Sequence, residues 1–216
     1  MTTAVPKPPK YYALEGIIGC GKTTVLSLLS KVPQLHCIPE PVEAFARYGS
    51  HNPLSLSYEN PHINAAIAQM HILRASANFY HAELQRVRND NPLCIVSERS
   101  ILSPQVFIET NLERGLYSDF VHDYLVDELS YLSAEVRKPD FIIILDAPPD
   151  LCVERVKIRS RDGENMCTRE FQATLRSVYL DMCKSWAIPY EIVKVTEEAE
   201  PISISMDVQN ILSRKF

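Results

Sequence analysis

No stretch of these 216 residues is apolar for long enough to span a membrane. Residues 1–10, with Pro6, Pro8 and Pro9 among two lysines, have neither the apolar core of a secretory signal nor the arginines of a transit peptide. They read as a flexible tail, and the chain reads as cytoplasmic, or mitochondrial if an address has been removed. The six cysteines (Cys20, Cys37, Cys94, Cys152, Cys167 and Cys183) form no C-x-x-C pair and none stands at zinc-ligand spacing from a histidine. That excludes a disulfide framework and a zinc module, and leaves reduced thiols acting as small core residues. Positive charge is not in excess. The formal net charge of −5 does not point to a nucleic-acid surface, while local basic clusters can still hold a small anion. There is no internal repeat, low-complexity tract or linker, so residues 11–216 are expected to form one domain.

What is present is an alternation. Short apolar runs at 11–15, 35–39, 93–97, 141–145 and 190–195 read as buried strands. Between and after them, 22–31, 61–89, 101–114, 118–136, 148–160, 168–186 and 204–214 read as helices. On the long segment from Pro61, apolar Ile63, Ile67, Met70, Leu73, Ala77 and Leu84 recur at helical spacing. Residues between Pro41 and Pro61 are polar, with proline and asparagine, and read as irregular. Five such strands alternating with helices predict an α/β fold, a five-stranded parallel sheet covered on both faces. Ligands of such sheets sit beyond the carboxyl ends of the strands.

The loop after the first strand reads Gly16-Ile17-Ile18-Gly19-Cys20-Gly21-Lys22-Thr23, followed by Thr24. It fits the phosphate-binding pattern G-x-x-x-x-G-K-[ST] in full. Its glycines let backbone N–H groups wrap around phosphate oxygens, at the positive end of the helix that follows. Lys22 adds a point charge, and the Thr23 hydroxyl can complete a Mg2+ shell. The expected ligand is ATP with Mg2+.

Three further patches bear on what the loop serves. Glu40-Pro41-Val42-Glu43 follows the second strand, where a carboxylate can orient an attacking hydroxyl. Ser97-Glu98-Arg99-Ser100 closes the third strand, with Arg99 able to reach phosphate oxygens and Glu98 able to hold that arginine or a magnesium-bound water. Arg155, Lys157, Arg159 and Arg161, with Gly163 and Glu164 beyond, could close over phosphates as a lid at about 155–166.

With these motifs in this order and spacing, the chain resembles the deoxyribonucleoside kinases, a group that includes mitochondrial thymidine kinase, deoxycytidine kinase and the insect multisubstrate enzyme. The resemblance rests on Glu15-Gly16-x-Ile18-Gly19-x-Gly21-Lys22-Thr23-Thr24, Glu40-Pro41-Val42-Glu43, Glu98-Arg99-Ser100 and the basic segment, and runs from about Tyr11 to Val195. It implies a helical lid, Glu40 as general base for a 5′-hydroxyl, Arg99 beside it, and Glu98 as a magnesium-linked acid. It further implies that Tyr58 and Glu164 bind the 3′-hydroxyl and that Gln69 pairs with the base. Phe45 stands where tryptophan is usual, beside sugar and base, and Arg155, Arg159 and Arg161 belong to the lid that holds phosphates. Pro104 and Ser76 stand where deoxycytidine-type members carry an acid and an arginine. The implied substrate is therefore thymidine or a broad pyrimidine range, and the implied assembly is a homodimer through helices like those in 101–136.

Two rival readings remain. A thymidylate kinase shares the loop and the basic lid, but Asp-Arg-Tyr or a close variant is expected where this chain has Glu98-Arg99-Ser100. A regulatory GTPase would need Asn-Lys-x-Asp, and the fourth strand ends instead in Asp146-Ala-Pro.

Overall fold

The computed structural model describes residues 8–88, 92–160 and 167–215. Arg161, Gly163 and Glu164 of the expected lid, and most of the expected tail, lie outside the described residues.

Five strands, β1 (Lys10–Glu15), β2 (Leu35–Ile38), β3 (Cys94–Glu98), β4 (Phe141–Asp146) and β5 (Tyr190–Lys194), form one parallel sheet in the order β2-β3-β1-β4-β5. β4, Phe-Ile-Ile-Ile-Leu-Asp, is buried at all six positions. A central parallel strand has helices on both faces, so a continuous β-branched run suits it where an alternating pattern would leave polar groups buried. The core divides accordingly. Tyr12, Leu14, Ile143, Leu145 and Val193 pack on one side of the sheet, and Tyr11, Ile95, Ile142 and Ile144 on the other. Truncating Leu175, wholly buried in the first cluster, to alanine would cost about 2–5 kcal/mol.

Nine helices complete the described chain: α1 (Lys22–Leu29), α2 (Val42–Phe45), α3 (Pro53–Glu59), α4 (Pro61–Arg88), α5 (Ser103–Glu113), α6 (Asp119–Ser133), α7 (Pro149–Arg159), α8 (Arg169–Ser185) and α9 (Pro201–Lys215). The five strands and seven longer helices match the sequence reading to within a few residues. α2 and α3 do not, because they fall in the stretch read as irregular. They are too short to show a period, and α3 depends on local capping: Asn52 accepts from Ser55 N at 3.1 Å, with Pro53 in the first turn. α8 starts the same way, Thr168 accepting from Phe171 N at 3.2 Å, and buries Phe171, Leu175, Val178 and Tyr179 on one face. Among the described residues, no helix is long and apolar enough to cross a membrane.

One expectation about α4 is corrected. Ile63 and Ile67 keep helical spacing with the core residues but are 66% and 72% exposed. The buried positions near Gln69 are Ala65, Ala68 and Leu73.

Candidate active site

The loops leaving the carboxyl ends of β1, β2 and β3 converge with α4, α5 and α7 around a cleft of about 530 Å³, a size suited to a small organic ligand. In the β1–α1 loop, Gly16, Gly19 and Gly21 have φ of 140°, 85° and 103°. A Cβ on Gly16 would lie 2.5 Å from Leu145 O, and one on Gly19 2.7 Å from Cys152 O, so the tight turn requires glycine. Ile18, Gly19, Gly21, Lys22, Thr23 and Thr24 line the cleft, while Ile17 and Cys20 are buried. Lys22 Nζ donates to Ile17 O at 2.9 Å and to Gly16 O at 3.1 Å. Thr23 Oγ1 donates to Glu98 Oε1 at 2.8 Å, joining the start of α1 to the end of β3.

Arg99 turns the chain at the end of β3 with φ 63°, unusual for a non-glycine residue. The turn is held from both sides: Arg99 N donates to Leu14 O at 3.0 Å, and Ser97 Oγ donates to Arg99 O at 2.5 Å. The side chain is thereby sent away from Glu98. Its Nε lies 2.7 Å from Glu40 Oε1, an ion pair without the alignment of a hydrogen bond. Its Nη1 donates to Tyr179 Oη, and its Cζ lies 5.0 Å from the Phe107 ring centroid. Of the two partners that the sequence offered Glu98, the arginine is taken by Glu40 instead.

Glu15, the last residue of β1, is wholly buried. It accepts from Ser100 Oγ at 2.8 Å, Ser103 Oγ at 2.7 Å and Tyr179 Oη at 3.2 Å. Burial pushes its pKa up, with Arg99 and the two serine hydroxyls pulling the other way. Burial also pushes the Tyr179 phenol well up, so that it stays protonated. For Arg99, burial works against the charge, but an anionic surround that includes Glu40 and Glu15 outweighs it and holds the guanidinium as a cation.

The remaining predicted residues come from separate elements. Phe45 ends α2, Tyr58 lies in α3, Gln69 in α4, and Arg155 and Arg159 in α7; all line the same cleft. Gln69 is 4% exposed and donates from Nε2 to Pro104 O at 3.3 Å. A Cβ on Gly21 would sit 3.8 Å from Arg155 Nη1, which places that arginine against the loop. Phe107, Asn111, Arg114 and Phe171 also line the cleft and were not singled out from the sequence, with Arg114 4.8 Å from the Phe171 centroid. Asn111 and Arg114 stand one helical turn apart after the Glu98-Arg99 pair, a spacing that could have flagged them.

A glycine-walled phosphate-type loop, a parallel sheet and a charged cleft at its carboxyl edge define the P-loop kinase fold. Within it, the chain matches the Deoxynucleoside kinase family model over residues 12–214, and belongs to that family of phosphotransferases. A deoxyadenosine kinase of Dictyostelium discoideum is 27% identical over 201 residues, 92% of this chain and 78% of its own. A Pyrobaculum aerophilum protein named "Probable thymidylate kinase" is 29% identical over 208 residues, 94% of this chain and 96% of its own. The names of further relatives divide among thymidine, deoxyguanosine and deoxycytidine kinases. Among solved structures, deoxyadenosine kinase from M. mycoides superposes with a TM-score of 0.76 at 21% identity, covering 94% of this chain and 99% of that one.

Proposed function

We propose that this protein is a deoxyribonucleoside kinase that transfers the γ-phosphoryl group of ATP to the 5′-hydroxyl of thymidine, or of a broader range of pyrimidine deoxynucleosides. The observation that carries the reading is Glu40, 19% exposed at the cleft wall and paired with buried Arg99. A hydroxyl acceptor needs a proton acceptor at the point of attack, which a phosphate acceptor does not. Glu40 takes the 5′-hydroxyl proton as the new O–P bond forms and the bond to the β-phosphate oxygen breaks. Lys22, Arg99, Arg155 and Arg159 supply positive charge to the oxygens on which negative charge spreads.

The residues present fit a triphosphate and its metal. A loop whose Gly16 and Gly19 admit no Cβ leaves its backbone N–H groups to phosphate oxygens. The Thr23 hydroxyl and Glu98 carboxylate, 2.8 Å apart, are the oxygen donors that would hold Mg2+, directly or through water. When bound, Mg2+ neutralises charge on the transferring phosphates.

On the acceptor side, the Gln69 amide is buried and offers its Oε1 and second N–H to a base edge. Phe45 would pack beside base and sugar, and Tyr58, with Glu164, would hold the 3′-hydroxyl. Pro104 and buried Ser76 offer no ion pair to a cytosine or purine. A homodimer through helices in 101–136 is supported by apolar Phe120, Tyr124 and Tyr131 left exposed on α6, and Ile63 and Ile67 are likewise exposed on α4, which packs against α6 and lies outside that range. Residues 11–216 are read as one domain, and the protein as cytoplasmic, or mitochondrial if an address has been removed.

The test is ATP-to-ADP turnover with thymidine, deoxycytidine, deoxyadenosine, deoxyguanosine and thymidine monophosphate offered separately. Turnover with thymidine and not its monophosphate supports the reading. Turnover only with the monophosphate replaces it with thymidylate kinase and removes Glu40 as base.

A further inference from the structure

Arg99 is the residue on which the proposed chemistry converges, yet Glu40 does not fix it. Their 2.7 Å contact is an ion pair whose Nε–H is not aligned on the carboxylate. Among the described residues, the side-chain hydrogen bond that gives the guanidinium a direction is the one from Nη1 to Tyr179 Oη. Tyr179 in turn is fixed from behind. A phenol has a single proton. Tyr179 Oη accepts from Arg99, so its proton goes to Glu15 Oε2 at 3.2 Å, and its lone pair is left facing the arginine. Glu15 has no freedom of its own: it is wholly buried and takes hydroxyl donors from Ser100 and Ser103. Donation therefore runs from Arg99 to Tyr179 to Glu15, with Glu40 ion-paired to Arg99 at Nε.

We propose that Tyr179 is a positioning residue for phosphoryl transfer: anchored by Glu15, it sets the guanidinium of Arg99, and through it the carboxylate of Glu40 at the cleft wall. This inference rests on the kinase reading above. Tyr179 reaches the site from the buried face of α8, and Glu15 precedes the phosphate loop, so the relay ties the acceptor-side base to the donor-side loop through the core. Its physical need is direction. With the Tyr179 hydroxyl in place and its proton taken by Glu15, its lone pair holds the guanidinium while Arg99 pairs with Glu40. Without the hydroxyl, or with an amide at Glu15 that can donate to the Tyr179 oxygen and turn its lone pair away, the guanidinium loses the side-chain hydrogen bond that sets it. Misplacing charge and base lowers the transfer rate without touching the loop that binds ATP.

The experiment is steady-state kinetics and thermal denaturation of Tyr179→Phe, Glu15→Gln and the double variant, beside the wild type, with each nucleoside and ATP varied in turn. Tyr179→Phe is expected to lose roughly ten- to a hundredfold in kcat while KM for ATP stays within about twofold. Glu15→Gln should show the same split, and the double variant should be no slower than the slower single one, because both act through one relay. A merely structural role would lower the melting temperature without this kcat-against-KM split. A folded Tyr179→Phe with kcat within about twofold of wild type overturns the proposal, as do losses that multiply in the double variant. Should Tyr179→Phe fail to fold, Glu15→Gln decides alone, since it removes no heavy atom. A wild type silent with every nucleoside overturns the kinase reading and this inference with it; an active wild type beside an unimpaired variant overturns this inference only.

Discussion

Arg99 and Glu40 lie 2.7 Å apart, although Arg99 follows β3 and Glu40 follows β2. β2 and β3 are adjacent and parallel, so their carboxyl ends open on the same edge of the sheet and bring the two residues to one wall of the cleft. As a consequence, Glu40→Gln is expected to lower kcat by about 10²–10⁴-fold with little change in KM for the nucleoside, because the amide keeps the shape and loses the basicity. Steady-state kinetics with thymidine measures it, and near-normal turnover would remove Glu40 from the mechanism.

Gly19→Ala should abolish the phosphate loop's geometry. A Cβ there meets Cys152 O at 2.7 Å, and φ is 85°. The expected result is a KM for ATP raised about tenfold or more and a melting temperature lowered by several degrees, as for a strained core substitution of about 1–3 kcal/mol. Titration with a non-hydrolysable ATP analogue reads the first, and a thermal melt the second.

Thr23→Val removes the hydroxyl that donates to Glu98 at 2.8 Å and keeps the volume. If Thr23 holds the metal as proposed, activity at saturating ATP should then need about tenfold more Mg2+. A magnesium titration that superposes on the wild-type curve would exclude Thr23 from the metal shell.

Asp146, at the end of β4, gives a pH prediction. Burial works against its charge, but hydrogen bonds from Arg176, at 2.5 and 2.9 Å, and from Lys194 outweigh it and hold the pKa below the usual aspartate value. A depressed folded-state pKa contributes stability above the unfolded value that is lost as pH falls through the folded one. Asp146→Asn should therefore be less stable than wild type at neutral pH, with the gap closing as pH falls below about 4. Urea melts from pH 7 to pH 3 test the sign, and a gap that widens in acid would contradict it.

Ile67→Asp combined with Phe120→Asp places charge on the exposed apolar residues of α4 and α6. The wild type is expected to sediment as a dimer and this variant as a monomer. A wild type that sediments as a monomer at micromolar concentration would refute the dimer.

The phosphate loop was legible because its chemistry is local. Three glycines, a lysine and a threonine at fixed spacing specify the turn wherever a strand precedes and a helix follows. The strands were legible for a similar reason, since Phe-Ile-Ile-Ile-Leu can be satisfied only with both faces covered. Gln69 was singled out through the family resemblance; it is buried, whereas Ile63 and Ile67, apolar residues at helical spacing on the same helix, are exposed. Periodicity reports that a helix has an apolar stripe, but not how far along the helix another element covers it. α2 and α3 escaped because four and seven residues are too few to show a repeating pattern, and α3 depends on the Asn52 cap.

By itself the sequence determined the order of strands and helices, the phosphate loop, and which charged residues follow which strand, since each depends on neighbours within a few residues. Only the tertiary structure decided which charges meet. Glu98 could have held Arg99, but the left-handed turn at Arg99 sends the guanidinium to Glu40 and Tyr179, and Thr23 takes Glu98. Glu15 marked the loop's entrance in the sequence, and only the closed fold, which brings the β3–α5 turn, the start of α5 and α8 to the end of β1, gave it two serines and a tyrosine. Those partners come from distant segments, and a buried carboxylate takes whatever donors the closed core brings to it.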